Sequence, residues 1–313
     1  MNNPSTQQNN EPMQNNKIAY DEINLRELFS IIWRGKWTVI ITTVLFTLVS
    51  IVYAINQPNI YKSEALLAPS SENSDMKIPG QLGGLAALAG VNVGGAGEKV
   101  TLALEIIKSR KFISYFIEQH NLLVPLMASE GWDRANNELI IDQDLYDSKS
   151  GKWVREVKAP YKAKPSLLEA HEEFIKLVTI SKDKDSGMVT LSFEHSSPYL
   201  AKVIVELLVQ GINNEIRQRE LREAQSSIDY LTKQINETNI ADVRSMLFSL
   251  IEEQTKTVML ANVRDEYVFK TVDPAVVAEK KLRPSRVMWI LMASITGFLL
   301  SVLIVVFRVK KLI

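Results

Sequence analysis

The chain has no cysteine among its 313 residues, which excludes disulfide frameworks, thiolate metal sites and cysteine nucleophiles and leaves the redox compartment open. Histidine is nearly as scarce. His120, His171 and His195 stand alone, so no spacing puts two imidazoles on one helix face, and neither a metal nor another cofactor is expected. There is no excess charge of either sign, because Lys plus Arg and Asp plus Glu both number 36. Nothing therefore marks a nucleic-acid binder or an acidic tail. No G-x-S-x-G elbow and no G-x-x-x-x-G-K loop followed by Ser or Thr is present. Adjacent carboxylates such as Glu172 with Glu173 and Glu252 with Glu253 point apart on a helix and read as solvated faces, not acid–base pairs. The expectation is a protein without catalytic activity.

What is present is two long apolar runs. Thr38 to Ile55 and Val287 to Phe307 carry no charge, and at about 1.5 Å per residue each can cross most of a ~30 Å hydrocarbon layer. Trp33, Trp37 and Tyr53 sit at the ends of the first run, where amphipathic rings prefer the interface. A secretory signal is the alternative, but a long polar stretch precedes this run and no A-x-A cleavage pattern follows. Lys17, Arg26, Arg34 and Lys36 precede it and only Lys62 soon follows, which orients the N-terminus to the cytoplasm. Arg308, Lys310 and Lys311 agree with a cytoplasmic C-terminus. Lys280, Lys281, Arg283 and Arg286, ahead of the second run, disagree; the first span is taken as decisive because long domains translocate largely regardless of charge. The expected division is a cytoplasmic tail and juxtamembrane helix (1–37), a span (38–55), an extracytoplasmic domain (56–286), a second span (287–307) and a tail (308–313). The domain comprises a base (56–197 and 263–286) and a helical hairpin (198–262).

Met1 to Asn16 is too polar to bury a core and reads as disordered. Ile23 to Trp33 has an apolar stripe suited either to a helix on the inner membrane face or to an extension of the first span. Ile60 to Ala68 reads as a strand ended by Pro69. Gln81 to Gly97 is a Gly/Ala/Leu/Val run, read as a mobile apolar loop. Val100 to Glu118 has helical spacing, and Asn121 to Pro165 reads as mostly irregular with a short helix near 130–140. Ser166 to Leu177 is helical again. Val178 to Lys182 and Met188 to Glu194 flank Asp185-Ser186-Gly187 as a hairpin, with Val189, Leu191 and Phe193 on one face.

Ser197 can cap, and Pro198 can open, a very long helix. Leu200, Val203, Ile204, Leu207, Leu208, Gly211, Ile212 and Ile216 give it a broad apolar face. Leu221, Ala224, Ile228, Leu231 and Ile235 then repeat at three-four spacing, a narrower seam of the coiled-coil kind. The helix runs roughly 40 residues, about 60 Å, before Thr238 and Asn239. Asn239 can cap a returning helix to about Asn262, and the apolar surface left over predicts contact with identical neighbours, so a homo-oligomer. Glu266 to Val272 reads as a strand returning beside Ile60 to Ala68. Arg217, Arg219 and Arg222, and Arg155, Lys158, Lys162 and Lys164, are candidate contacts to an anionic glycan or lipid phosphate, against the plainer reading of solvated surfaces.

These residues resemble the polysaccharide co-polymerases, the bacterial chain-length determinants of Wzz type. The resemblance rests on DEINLRELFSIIWRGKW before the first span, IYKSEALLAPSS, GGLAALAG, ISKDKDSGMVTLSFEHSSP, AQSSIDYL and QTKTVMLANVRDEYVFKTVDPAVVAEKKLRPSR. Pro274 and Pro284 match the family's proline-rich lead into the second span only thinly. The resemblance implies an α+β membrane protein of the inner membrane. Two transmembrane helices flank a periplasmic α/β base with a long projecting helical hairpin, and like subunits form a ring. It further implies control of the chain length of lipid-linked O-antigen or a related polysaccharide, together with a separate Wzy-type polymerase. The short stretch after the second span points to the kinase-free class. Two other readings stay open: a two-span periplasmic sensor or receptor, and an export protein partnered by a separate kinase.

Overall fold

The computed structural model describes residue 33, residues 35–70 and residues 96–310. The polar tail 1–16, the juxtamembrane stripe 23–32 and most of the glycine-rich run 81–97 lie outside the described residues. The chain divides into two units, 1–57 with 285–313, and 58–284.

The first unit pairs two helices, α1 (Lys36–Asn56) and, from the other end of the chain, Arg286–Lys310. Both are long and apolar enough to cross a membrane. They run antiparallel. Thr47 Oγ1 and Ser294 Oγ share a hydrogen bond of 3.0 Å, Ser50 Oγ donates to the Trp289 carbonyl at 3.3 Å, and Arg286 Nε donates to the Ala54 carbonyl at 3.0 Å. Gly297 permits the close approach, since a Cβ there would stand 2.8 Å from Phe46 Cβ. Within α1 only Val39, Ser50 and Ala54 are buried. Apart from the half-buried Ile51, its other leucines, isoleucines and valines face outward, which is tolerable where the surroundings are hydrocarbon.

The second unit is built on an antiparallel sheet whose first strand is β1 (Tyr61–Pro69). Two helices follow, α2 (Ala96–Lys108) and α3 (Arg110–Gln119), where the sequence suggested one. Ser109 interrupts them by taking extended backbone and accepting from the Phe112 amide, a side-chain cap that starts a new helix although the apolar spacing continues. After α4 (Leu123–Met127), the helix expected near 130–140 is absent. Instead β2 (Ser129–Asp133) pairs with β3 (Glu138–Ile141). Asp133 Oδ1 accepts from the Ala135 amide and Asn137 adopts positive φ, so side-chain turn chemistry overrides helical spacing. The minimal pair β4 (Tyr146–Asp147) and β5 (Lys152–Trp153) leads to α5 (Leu167–Leu177), opened by a Ser166–Glu169 capping box.

The expected hairpin is present as β6 (Val178–Lys182) and β7 (Val189–His195), with Gly187 at positive φ. The long helix α6 (Pro198–Glu237) begins with Ser197 accepting from the Leu200 amide and Pro198 in the first turn. It spans 40 residues and ends where Thr238 turns extended. The return helix α7 (Ala241–Val263) is flanked by Ile240, which makes no side-chain cap, so Asn239 is not the capping residue. The last strand, β8 (Phe269–Asp273), starts three residues later than the aromatic pattern suggested; just before it the Val268 amide donates to Asn213 Oδ1 and its carbonyl accepts from the Ser70 amide. The remaining helix, α8, is Arg286–Lys310 of the first unit.

Sheet order is β6-β7-β1-β8. Val189, Leu191 and Phe193 are buried as their alternation required, and with Leu67, Phe174, Ile113, Leu208, Ile212 and Phe269 they form one core between the sheet and α2, α3, α5 and the first half of α6. Entry to and exit from this unit meet: the Ile60 amide donates to the Arg283 carbonyl at 2.9 Å and the Leu282 amide to the Ile60 carbonyl at 2.8 Å.

Candidate functional site

The second half of α6 has lost the sheet beneath it. Its seam residues Ala224, Leu231 and Ile235 are buried, and Leu221 and Ile228 are half-buried. They are covered by α7 of the same chain, whose Leu247, Leu250, Ile251, Val258 and Ala261 turn inward. The narrow seam thus closes an intrachain hairpin. The apolar surface left over lies on other faces: Phe248, Met259 and Val263 are exposed at 54%, 64% and 83%. At about 100° per residue they share a stripe of α7 turned away from the seam.

Of the three arginines of α6, Arg219 and Arg222 share a face three residues apart, and Arg217 does not join them. At about 100° per residue Arg217 and Arg219 lie roughly 160° apart. Arg217 is occupied inside the fold, donating to Asn214 Oδ1 at 2.9 Å and to the Arg264 carbonyl, with Asp265 at 3.6 Å. It fastens the exit of α7 to α6. Arg219 is half-buried and Arg222 exposed.

The second basic group is organised differently. The Arg155 guanidinium points inward: Nε donates to the Ala163 carbonyl at 2.8 Å, and Nη2 to the Lys162 carbonyl at 2.9 Å and to Glu169 Oε2 at 2.7 Å. Burial pushes the Glu169 carboxyl up, but the Ser166 amide and the Arg155 guanidinium outweigh it and hold the group below the ordinary carboxylate range. Arg155 thereby closes residues 155–163 into a ring, leaving Lys158 and Lys162 exposed on it and Lys164 exposed just after it.

Three further clusters carried no sequence signal. Asn213, buried on the broad face of α6, donates through Nδ2 to the Phe269 carbonyl at 3.0 Å and accepts through Oδ1 from the amides of Val268 and Phe269 at 2.8 and 2.9 Å. Glu220 takes the Tyr267 hydroxyl at 2.5 Å and the Lys99 ammonium at 2.8 Å. Burial, and then the carboxylate, push the Tyr267 hydroxyl far above its ordinary value. His195 lies at the foot of α6. Its Nδ1 accepts from the Ser197 amide at 3.0 Å, so Nε2 carries the proton and donates to the Pro125 carbonyl, also at 3.0 Å. Leu122, Pro125, Leu126, Phe174, Leu200 and Ile204 close around the ring and leave no room for a water molecule. Burial therefore lowers its proton affinity despite the Pro125 carbonyl. Each cluster ties a strand or loop to α6. Together they fasten the long helix to the base around it.

The basic residues that conflict with a simple orientation rule also have places in the fold. Arg283 pairs with Glu194, Lys281 donates to Asn59 Oδ1 at 3.1 Å, and Arg286 binds the Ala54 carbonyl.

Solved structures similar to the chain include two polysaccharide co-polymerases. One, a full-length bacterial polysaccharide co-polymerase, is 14% identical, with 92% of this chain and 98% of that one covered at a TM-score of 0.39. The other, a fragment of the polysaccharide co-polymerase WzzB from Salmonella Typhimurium, is 13% identical, with 72% and 100% covered at a TM-score of 0.30. No curated protein sequence matches the chain. The model of the Wzz family, chain length determinant protein, matches residues 21–120. This segment, which contains α1, β1, α2 and α3, is where the chain is similar to the chain length determinant (Wzz) family.

Proposed function

We propose that the chain regulates the length distribution of lipopolysaccharide O-antigen, or of a related surface polysaccharide, as a homo-oligomeric scaffold in the bacterial inner membrane. Bond formation belongs to a separate Wzy-type polymerase, and this chain performs none. The Wzz match over residues 21–120 carries the reading. The two apolar helices supply membrane anchorage at both extremities of the chain. In this reading 38–55 and 287–307 are the spans, 56–286 is periplasmic and both termini are cytoplasmic. The local contacts of Lys281 with Asn59, Arg283 with Glu194 and Arg286 with the Ala54 carbonyl are compatible with that orientation, because these residues serve structural bonds and need not mark a cytoplasmic loop. The hairpin of α6 and α7 presents its outer stripe of Phe248, Met259 and Val263 to like subunits.

Deleting the gene and resolving lipopolysaccharide on a gel tests this. Loss of the modal cluster of bands, restored by the full chain, is the expected result. An unchanged ladder overturns it.

A further inference from the structure

Resting on that reading, we propose that the loop from Lys149 to Lys164 is a docking surface for an anionic glycan. In a chain of balanced charge this segment holds six cations, Lys149, Lys152, Arg155, Lys158, Lys162 and Lys164, against one carboxylate, Glu156. Only Arg155 turns inward, onto Glu169. The five lysines form no ion pair among the described residues, and all are exposed.

The loop is also preorganised. The Arg155 fork grips two of its carbonyls, the Tyr161 amide donates to the Lys158 carbonyl at 3.1 Å, and Trp153 is set by an edge contact with Tyr146 at 5.1 Å. Lys158 and Lys162 lie on this closed ring and Lys164 adjoins it, and cations so held lose less entropy on meeting a polyanion than lysines on a free segment. The apolar groups beside them favour a sugar over a lipid. Val154 and Val157 show small side chains, and the one large exposed ring, Tyr161, is 56% exposed. A surface that inserts into lipid presents Leu, Phe or Trp. An aromatic face between ammonium donors instead suits the C–H face of a sugar ring and its carboxylate or phosphate.

The test uses the purified full chain in a neutral detergent and fluorescein-labelled polygalacturonate, read by anisotropy, with labelled neutral dextran as control. The expected result is binding of the polyanion but not of dextran, weakening as salt rises. The triple variant Lys158→Gln, Lys162→Gln, Lys164→Gln lowers affinity about tenfold. Arg155→Lys keeps the charge but loses the planar fork, and lowers affinity about threefold with the three lysines in place. A control variant, Lys202→Gln with Lys233→Gln on α6, binds as the parent does. Equal binding by the triple variant, equal binding of dextran, or no binding of polygalacturonate overturns the proposal. In nanodiscs, an environment-sensitive dye on Ser148→Cys that shifts to the blue with phosphatidylglycerol but not phosphatidylcholine, and only when the lysines are present, reassigns the surface to lipid and overturns it too. An unchanged gel ladder on gene deletion overturns the regulatory function and leaves the measured binding standing; lost binding with an altered ladder overturns the docking surface alone.

Discussion

The Asn213 carboxamide serves Phe269 as a neighbouring strand would, donating to its carbonyl at 3.0 Å and accepting from its amide at 2.9 Å. It also takes the Val268 amide at 2.8 Å. This matters because β8 is the edge of the sheet and follows directly on the helical hairpin, so one side chain of α6 fixes where the hairpin ends. Asn213→Ala strands three backbone groups in the core, each costing about 1–3 kcal/mol when unpaired. Some will find water, so a loss of about 3 kcal/mol is expected, read as a fall of about 5–10 °C in the thermal midpoint of the detergent-solubilised chain. An unchanged midpoint would show that Asn213 is dispensable.

Little of this device was legible in the sequence. Asn213 sits between Ile212 and Ile216 on an apolar helical face, and nothing local shows that a strand some 55 residues later takes its hydrogen bonds. The long helix was legible because Ser197, Pro198 and Thr238 punctuate it by local rules and its apolar spacing is uninterrupted. The β2–β3 hairpin was not: Ser129 to Ile141 lacks a clean alternation, and its turn depends on Asp133 and Asn137 taking side-chain and backbone roles that composition does not reveal. The seam at Leu221 to Ile235 was visible as a stripe, but a stripe does not name its partner, and three-dimensional contact assigns it to α7 of the same chain.

That assignment yields a contrast between two substitutions. Leu231 is 5% exposed inside the hairpin and Phe248 is 54% exposed on its outer side. Leu231→Asp buries an unpaired carboxylate between α6 and α7, a cost of several kcal/mol that separating the helices relieves. Amide hydrogen exchange across residues 222–260 should accelerate at least tenfold, with the sheet core unaffected. Phe248→Asp should leave exchange in the hairpin unchanged and reduce the oligomer seen on chemical crosslinking in membranes. Equal exchange in both variants would remove the intrachain role of the seam.

His195 gives the base a pH dependence whose sign is fixed by its neighbours. Its proton affinity in the fold lies below the ordinary value of 6.5 because burial disfavours the imidazolium. Protonating Nδ1 would also turn a donor against the Ser197 amide at the start of α6. The unfolded chain therefore binds the proton first, and the stability contribution, complete above about pH 6.5, is lost as pH falls below it. Asp133, Asp147, Asp183 and Glu169 are all held below the ordinary carboxylate range, so their contributions fade only at still lower pH. The thermal midpoint should fall between pH 7 and pH 5.5, and His195→Gln should flatten that slope while lowering the midpoint at pH 7. An equally steep slope in the variant would assign the titration elsewhere.

The absence of cysteine makes the first unit directly testable. Thr47 and Ser294 face each other across α1 and α8 with hydroxyl oxygens 3.0 Å apart, a separation from which two cysteine sulfurs can reach bonding distance, about 2.05 Å, by small rotations. Thr47→Cys with Ser294→Cys should form an intramolecular crosslink in native membranes under mild oxidation, detected as a faster band on a non-reducing gel after cleavage-free extraction. Gly297 sets the approach: its missing Cβ would meet Phe46 Cβ at 2.8 Å. Adding Gly297→Leu must therefore push the helices apart, and crosslinking yield should fall severalfold while membrane insertion, which depends on overall apolarity, persists. A crosslink that survives Gly297→Leu at full yield would mean that the pair is held by its polar contacts and not by the close approach at glycine.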